Sequence, residues 1–197
     1  MAEPDPSPRA AATSAHESQT ALGVVVNGKE VRASVPDRLL LSDFLRDHLG
    51  LTALKVACGE GACGACTILI DGEPARSCTL LALQADGSQI VTLEGINPPG
   101  DLDPVQKIFQ QHHALQCGYC TPGWLITVYS MIERAIHPDS DEVAQYLSGH
   151  ICRCTGYRNI WTAVRLALGA TDHPKSDAKD HAATEVGNPR QDENGEE

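Results

Sequence analysis

Eight cysteines in two sets are the residues of this 197-residue chain whose types and spacing could do chemistry. The first set is Cys58, Cys63 and Cys66, followed after eleven residues by Cys78. Four thiolates at C-x4-C-x2-C with a distant fourth are the spacing that holds a 2Fe-2S cluster. Three of the ligands fall on one short loop, so backbone N–H groups must turn inward toward sulfur. Gly59, Gly61 and Gly64 lack a Cβ and permit this. A structural zinc site and a disulfide framework are the alternatives. Zinc knots usually pair C-x2-C with a second C-x2-C or with histidines, and the interleaved glycines match that poorly.

The second set is Cys117 and Cys120, thirty-one residues, then Cys152 and Cys154. The C-x-C pair discriminates: zinc ribbons use C-x2-C twice, whereas C-x-C still directs two sulfurs at one iron if Arg153 points away. A zinc site and a redox dithiol at Cys117 and Cys120 are the alternatives. A thioredoxin-like C-x2-C belongs beside a βαβ unit, and this one lies between helical stretches.

The whole chain bounds its surroundings. Its formal net charge of −11 is uneven: −2 over residues 1–20, −5 over residues 171–197 and −4 between. No basic stripe is available to neutralise phosphates, which argues against nucleic acid. No apolar run reaches the eighteen or so residues of a membrane span. Residues 1–20 show neither a basic n-region nor an apolar h-region, so the expected address is cytoplasmic, with export beside a signal-bearing partner as the alternative. Reduced cytosolic thiols suit metal ligation rather than disulfides.

The elements that must position these thiols divide the chain. Residues 1–20, rich in Ala, Ser and Pro, are expected to be a disordered or extended arm. Over residues 21–96 strand signals dominate. Val24–Val26 and Glu30–Val35 flank Asn27-Gly28, a hairpin signal, and Leu41, Phe44, Leu45 and Leu49 space as a short helix. Thr67–Ile70 reads as a strand closed by Asp71-Gly72, and residues 78–83 and 90–93 as further extended pieces. A linker at 97–100 carries Pro98-Pro99-Gly100. Residues 101–169 read as four helices. The first two open at Asp103-Pro104 and Thr121-Pro122, the third at Asp139 or Ser140, and the fourth spans about 158–168. Residues 170–197 are expected to be a disordered acidic tail. Both cysteine pairs of the second half precede a helix, whose N-terminal donors and dipole favour an anionic centre. Because this arrangement occurs twice, the halves should pair around one cluster.

Taken in order, Cys58-Gly-Glu-Gly-Ala-Cys-Gly-Ala-Cys-Thr67, Gln116-Cys-Gly-Tyr-Cys-Thr-Pro-Gly123 and Cys152-Arg-Cys-Thr-Gly-Tyr157 resemble the small iron–sulfur subunit of the xanthine dehydrogenase and aldehyde oxidase family of molybdenum hydroxylases. The resemblance covers about residues 22–169, with no departure at a ligand position. It implies an α+β chain: an N-terminal plant-type ferredoxin-like β-grasp domain, then an all-α four-helix-bundle 2Fe-2S domain. It further implies two 2Fe-2S clusters, a large partner subunit carrying molybdopterin with molybdenum, and often a partner carrying FAD. In the family the bundle cluster lies nearest the pterin; the matching positions here are Gln116 and Cys154.

On this reading the chain holds no catalytic residue. The resemblance implies that a partner hydroxylates a carbon centre with oxygen from water, and that single electrons leave through this chain to FAD or another acceptor. The alternative is a free-standing two-cluster ferredoxin. The clusters should differ in potential, the glycine-lined one closer to solvent and the other enclosed by helices. His112, His113 and His150 read as solvent-facing or capping residues, Trp124 and Trp161 as core or interface, and Arg153 and Arg158 as surface residues or charge partners of the bundle cluster.

Overall fold

The computed structural model describes residues 18–96, 100 and 102–169; the expected arm over 1–17, most of the linker and the tail from 170 lie outside the described residues. A five-stranded mixed sheet in the order β2-β1-β5-β3-β4 occupies the first half. Its strands are β1 (Gln19–Val26), β2 (Lys29–Pro36), β3 (Thr67–Ile70), β4 (Glu73–Arg76) and β5 (Gln89–Val91). β1 runs antiparallel to β2 and parallel to β5, and β3 runs antiparallel to both β4 and β5.

Both tight hairpins rest on left-handed pairs. Asn27 and Gly28 have φ of 51° and 76°, and Asp71 and Gly72 have 51° and 83°, the conformation that matches strand twist across a two-residue turn. β1 begins at Gln19, inside the stretch expected to be an arm. Its polar first residues are held across the hairpin, Gln19 opposite Pro36 and Thr20 opposite Val35, which needs no apolar period. Leu22, Val24 and Val26 then alternate inward.

The expected helix near residues 39–49 is a single α turn, α1 (Leu41–Asp43), continued by a π turn over Phe44–His48. Leu49 N–H reaches the Phe44 carbonyl at 3.1 Å, and the wider turn keeps Leu41, Phe44 and Leu45 all buried. Residues 78–83, expected to be extended, are so only in part. Only Leu80 and Leu81 are extended, Leu81 bridging Leu40; the flanking residues lie in 3-10 turns over Ser77–Thr79 and Ala82–Ala85, fixed by the Ser77 hydroxyl on Cys66 O at 2.8 Å and by Gln84 Oε1 on Leu81 N–H at 2.8 Å.

A short helix α2 (Leu93–Ile96) leads to α3 (Pro104–Gln111), α4 (Thr121–Glu133), α5 (Asp141–Ser148) and α6 (Arg158–Ala167). A separate core forms here from Phe109, Trp124, Val128, Met131, Ile160 and Val164, whereas the sheet closes on Leu41, Phe44, Leu45, Ile68 and Ile90. Asp103 caps α3, its Oδ1 accepting from Val105 N at 2.7 Å and Gln106 N at 3.1 Å. Asp103→Ala is expected to cost about 0.5–2 kcal/mol, read as a lowered midpoint in denaturant unfolding of the holoprotein. Thr121 does not cap α4: the helix includes it, and Cys120 occupies the preceding position without a side-chain cap.

Candidate metal centres

The two cysteine sets assemble separately, each beside its own core. In the first, Cys66 and Cys78 are buried and Cys58 and Cys63 half-buried. The glycines of this loop, 59, 61 and 64, all take positive φ. Backbone donors turn inward as their presence requires: the Glu60 N–H points at Cys58 Sγ across 3.5 Å. That donor first, and then Cys63, pull the Cys58 thiol down to about 7. Burial first, and then neighbouring Cys66, push Cys78 up to about 11.

In the second set, Cys117 and Cys154 lie 3.6 Å apart, sulfur to sulfur, and Cys120 faces Cys152. Each pair takes one thiol from the loop before α4 and one from the loop before α6, the two-fold pairing expected from the repeated placement. Burial alone would raise Cys152, but hydrogen bonds led by the Thr155 hydroxyl, 3.1 Å from its sulfur, lower it. Burial and then Cys152 push Cys120 up to about 12.

The geometry suits a binuclear group better than a single ion. Thiols meet in twos, Cys58 with Cys63, Cys66 with Cys78, Cys117 with Cys154 and Cys120 with Cys152. Among the described residues no three ligating side chains converge as a mononuclear metal would need. Inward N–H and O–H donors at Cys58 and Cys152 stabilise thiolate charge, which a four-thiolate cluster brings.

One expectation about exposure is reversed. The bundle set is not enclosed by helices: Cys117 and Cys154 are exposed, as is Gln116. Its loops lie at the N-terminal ends of α4 and α6 rather than between the helices, and they form a surface rim with Leu115, Tyr119 and Ile151, the last 52 % exposed. The first loop is the better covered, because the second half packs onto it. Ile151 N–H donates to Cys63 O at 3.0 Å and Tyr119 Oη to Val56 O at 2.8 Å. The Gly64 carbonyl faces Gly123 of α4 so closely that a Cβ there would lie 2.2 Å from it.

His150 is likewise no surface residue. It is 4 % exposed, its ring 4.8 Å from that of Trp124, and its Nε2 2.7 Å from Thr127 Oγ1. The single Thr127 hydroxyl proton goes to Gly123 O at 3.1 Å, so Nε2–H is the donor to Thr127. Burial, and then the Arg76 charge, push His150 down to about 3. Trp124 is core, Trp161 is 36 % exposed, and His113, Arg153 and Arg158 are exposed. Sequence reasoning missed Arg76, which bridges the halves by donating to Gly149 O at 2.8 Å and to the Thr67 hydroxyl. No motif marks it.

Fold and thiols together define an iron–sulfur electron-transfer chain with two centres. The sequence matches a 2Fe-2S iron-sulfur cluster binding domain over residues 24–91 and a second 2Fe-2S binding domain over 92–165. It is 46 % identical over 163 residues to the caffeine dehydrogenase subunit gamma of Pseudomonas sp. (strain CBB1), covering 81 % of this chain and 98 % of that one. It is 47 % identical over 148 residues to the nicotine 6-hydroxylase small subunit of Paenarthrobacter nicotinovorans, covering 75 % and 89 %. Quinoline 2-oxidoreductase from Pseudomonas putida 86 superposes with a TM-score of 0.70 at 45 % identity, covering 76 % of this chain and 93 % of that chain. The chain belongs to the small iron–sulfur subunits of the xanthine dehydrogenase and aldehyde oxidase family of molybdenum hydroxylases. It is therefore the electron-transfer subunit of a multi-subunit oxidoreductase, with two 2Fe-2S clusters of its own and a large molybdopterin-bearing partner. No described helix is long and apolar enough to cross a membrane.

Proposed function

We propose that Cys58, Cys63, Cys66 and Cys78 hold one 2Fe-2S cluster and Cys117, Cys120, Cys152 and Cys154 the other, each on its own domain, with the division at residues 97–100. The pairwise meeting of the thiols carries this reading. Bound there, the two groups supply one-electron redox chemistry between the partner's molybdopterin centre and FAD or another acceptor. The chain's own residues hold and tune them. Donors at Glu60 and Thr155 favour thiolate charge, and the N-terminal ends of α4 and α6 add positive dipole ends beside the bundle set.

The exposed rim of Gln116, Cys117 and Cys154 supports the bundle end as the face toward the molybdopterin subunit, with Gln116 and Cys154 against the pterin. The half-buried first loop then serves the acceptor side. A cytoplasmic assembly fits eight thiols among which the described structure contains no disulfide. We further propose a nitrogen heterocycle as substrate. The relatives at 45–47 % identity include proteins named for caffeine, nicotine and nicotinate, whereas those named as aldehyde oxidoreductases stand at 37–39 %.

Purification of the native chain with whatever accompanies it is expected to yield iron, molybdenum and flavin in one assembly. Electron paramagnetic resonance of the reduced assembly should show two distinct signals of equal spin per chain. One species integrating to a single spin overturns the ligand assignment.

A further inference from the structure

The two cysteine loops are joined by a polar seam, and one charge lies in it. Arg76 ends β4 and reaches across to the second half. One arm of its guanidinium donates to Gly149 O, 2.8 Å away and three residues before Cys152. The other donates to the hydroxyl of Thr67, the residue after Cys66. Thr67 in turn donates to Gly64 O at 2.5 Å, within the first loop. A planar fork with fixed donors suits this two-sided task, and a guanidinium remains charged at any working pH.

Among the described residues no carboxylate lies in ion-pair range of Arg76. Glu73, the one carboxylate lining the cleft of about 400 Å³ where Arg76 sits with Thr127, Tyr146 and His150, is instead paired with Arg134. Arg76 is itself half-buried, so solvent screens it incompletely. Neighbouring charge is one of the levers that set an iron–sulfur potential. A cation favours the more negative, reduced state of an anionic centre, and this one is bonded both to the residue after Cys66 and to the carbonyl three residues before Cys152.

Resting on the assignment of one cluster to each cysteine set, we propose that Arg76 is a positioning residue that ties the two loops together and raises the reduction potential of both centres. The test is a potentiometric titration of the purified complex followed by electron paramagnetic resonance, comparing the native chain with Arg76→Met and Arg76→Lys. Arg76→Met is expected to lower both midpoint potentials with iron content unchanged. Arg76→Lys, which keeps the charge but not the fork, should hold them near the native values. Unmoved potentials in Arg76→Met, a shift confined to one centre, or equal shifts in both variants would each overturn the proposal. If Arg76→Met does not retain its iron, Arg76→Lys decides: native potentials uphold the role of the charge, and a drop in both refutes it. Two distinct signals in the native complex test the ligand assignment separately.

Discussion

Cys152→Ser is expected to remove half of the iron from the chain and one of its two paramagnetic signals, leaving the other unchanged. Cys152 is the most enclosed thiol of its set, 7 % exposed. Its backbone N–H donates to Tyr157 Oη at 3.0 Å, and its sulfur accepts from the Thr155 hydroxyl. Serine keeps the size but supplies a hydroxyl that stays protonated at neutral pH, so the site loses both a ligand and a negative charge. The first set draws every thiol from residues 58–78, within the sheet domain, and should load normally. Turnover of the whole assembly with an external acceptor should fall to background, because the proposed function places the bundle set toward the molybdopterin subunit. Iron analysis and spin quantitation check this together. Retention of both signals at full intensity would remove Cys152 from the ligand set.

Gly123→Ala should have the largest effect among changes that leave the thiols alone. Its Cβ would stand 2.2 Å from Gly64 O, 3.2 Å from Gly64 C and 3.3 Å from Ala65 Cα. The neighbour is backbone, on the loop that carries Cys63 and Cys66, and cannot swing aside as a flexible side chain would. Either α4 backs away from β3 or the loop deforms. Overpacking of this kind typically costs about 1–3 kcal/mol, and the rigidity of both partners places it at the upper end. Thermal unfolding of the holoprotein should drop by several degrees, at roughly 2–4 °C per kcal/mol for a chain of this size. Hydrogen exchange at the Ile151 amide, which donates to Cys63 O, should accelerate as the seam loosens. An unchanged melting temperature with a protected Ile151 amide would show that the close approach is dispensable.

What was legible in the sequence was local. Spacing carries the chemistry of Cys58 to Cys78, because three of those thiols share one loop. The Asn27-Gly28 and Asp71-Gly72 turns announce themselves through residues that tolerate positive φ. Asp103-Pro104 marks a helix start for the same kind of reason: the capping oxygen and the donors it serves are two and three residues apart. Illegible were the contacts that depend on how the halves meet. His150 looks like any polar residue before a C-x-C, yet Trp124 and Thr127, more than twenty residues earlier, bury it. Arg76 lacks a periodic neighbour, and its partner Gly149 contributes only a carbonyl, which no residue type advertises. The exposure of Cys117 and Cys154 was misread because helix N-termini suggest enclosure, whereas the ends of α4 and α6 lie at the surface. The π turn after α1 depends on packing Phe44 and Leu45 together, which helical spacing alone does not distinguish from an ordinary helix.

The seam also bears on the order in which the molecule can be built. The Arg76 contact with Gly149 spans 73 residues and that of Tyr119 with Val56 spans 63, so both close long stretches of chain and carry the corresponding entropy. Contacts of that range form after the local ones. Each cysteine set, by contrast, is complete within its own half of the chain and beside its own core. The halves can therefore mature as two independent vessels, each filled on its own schedule. Closure of the seam then turns two separately made parts into one conductor.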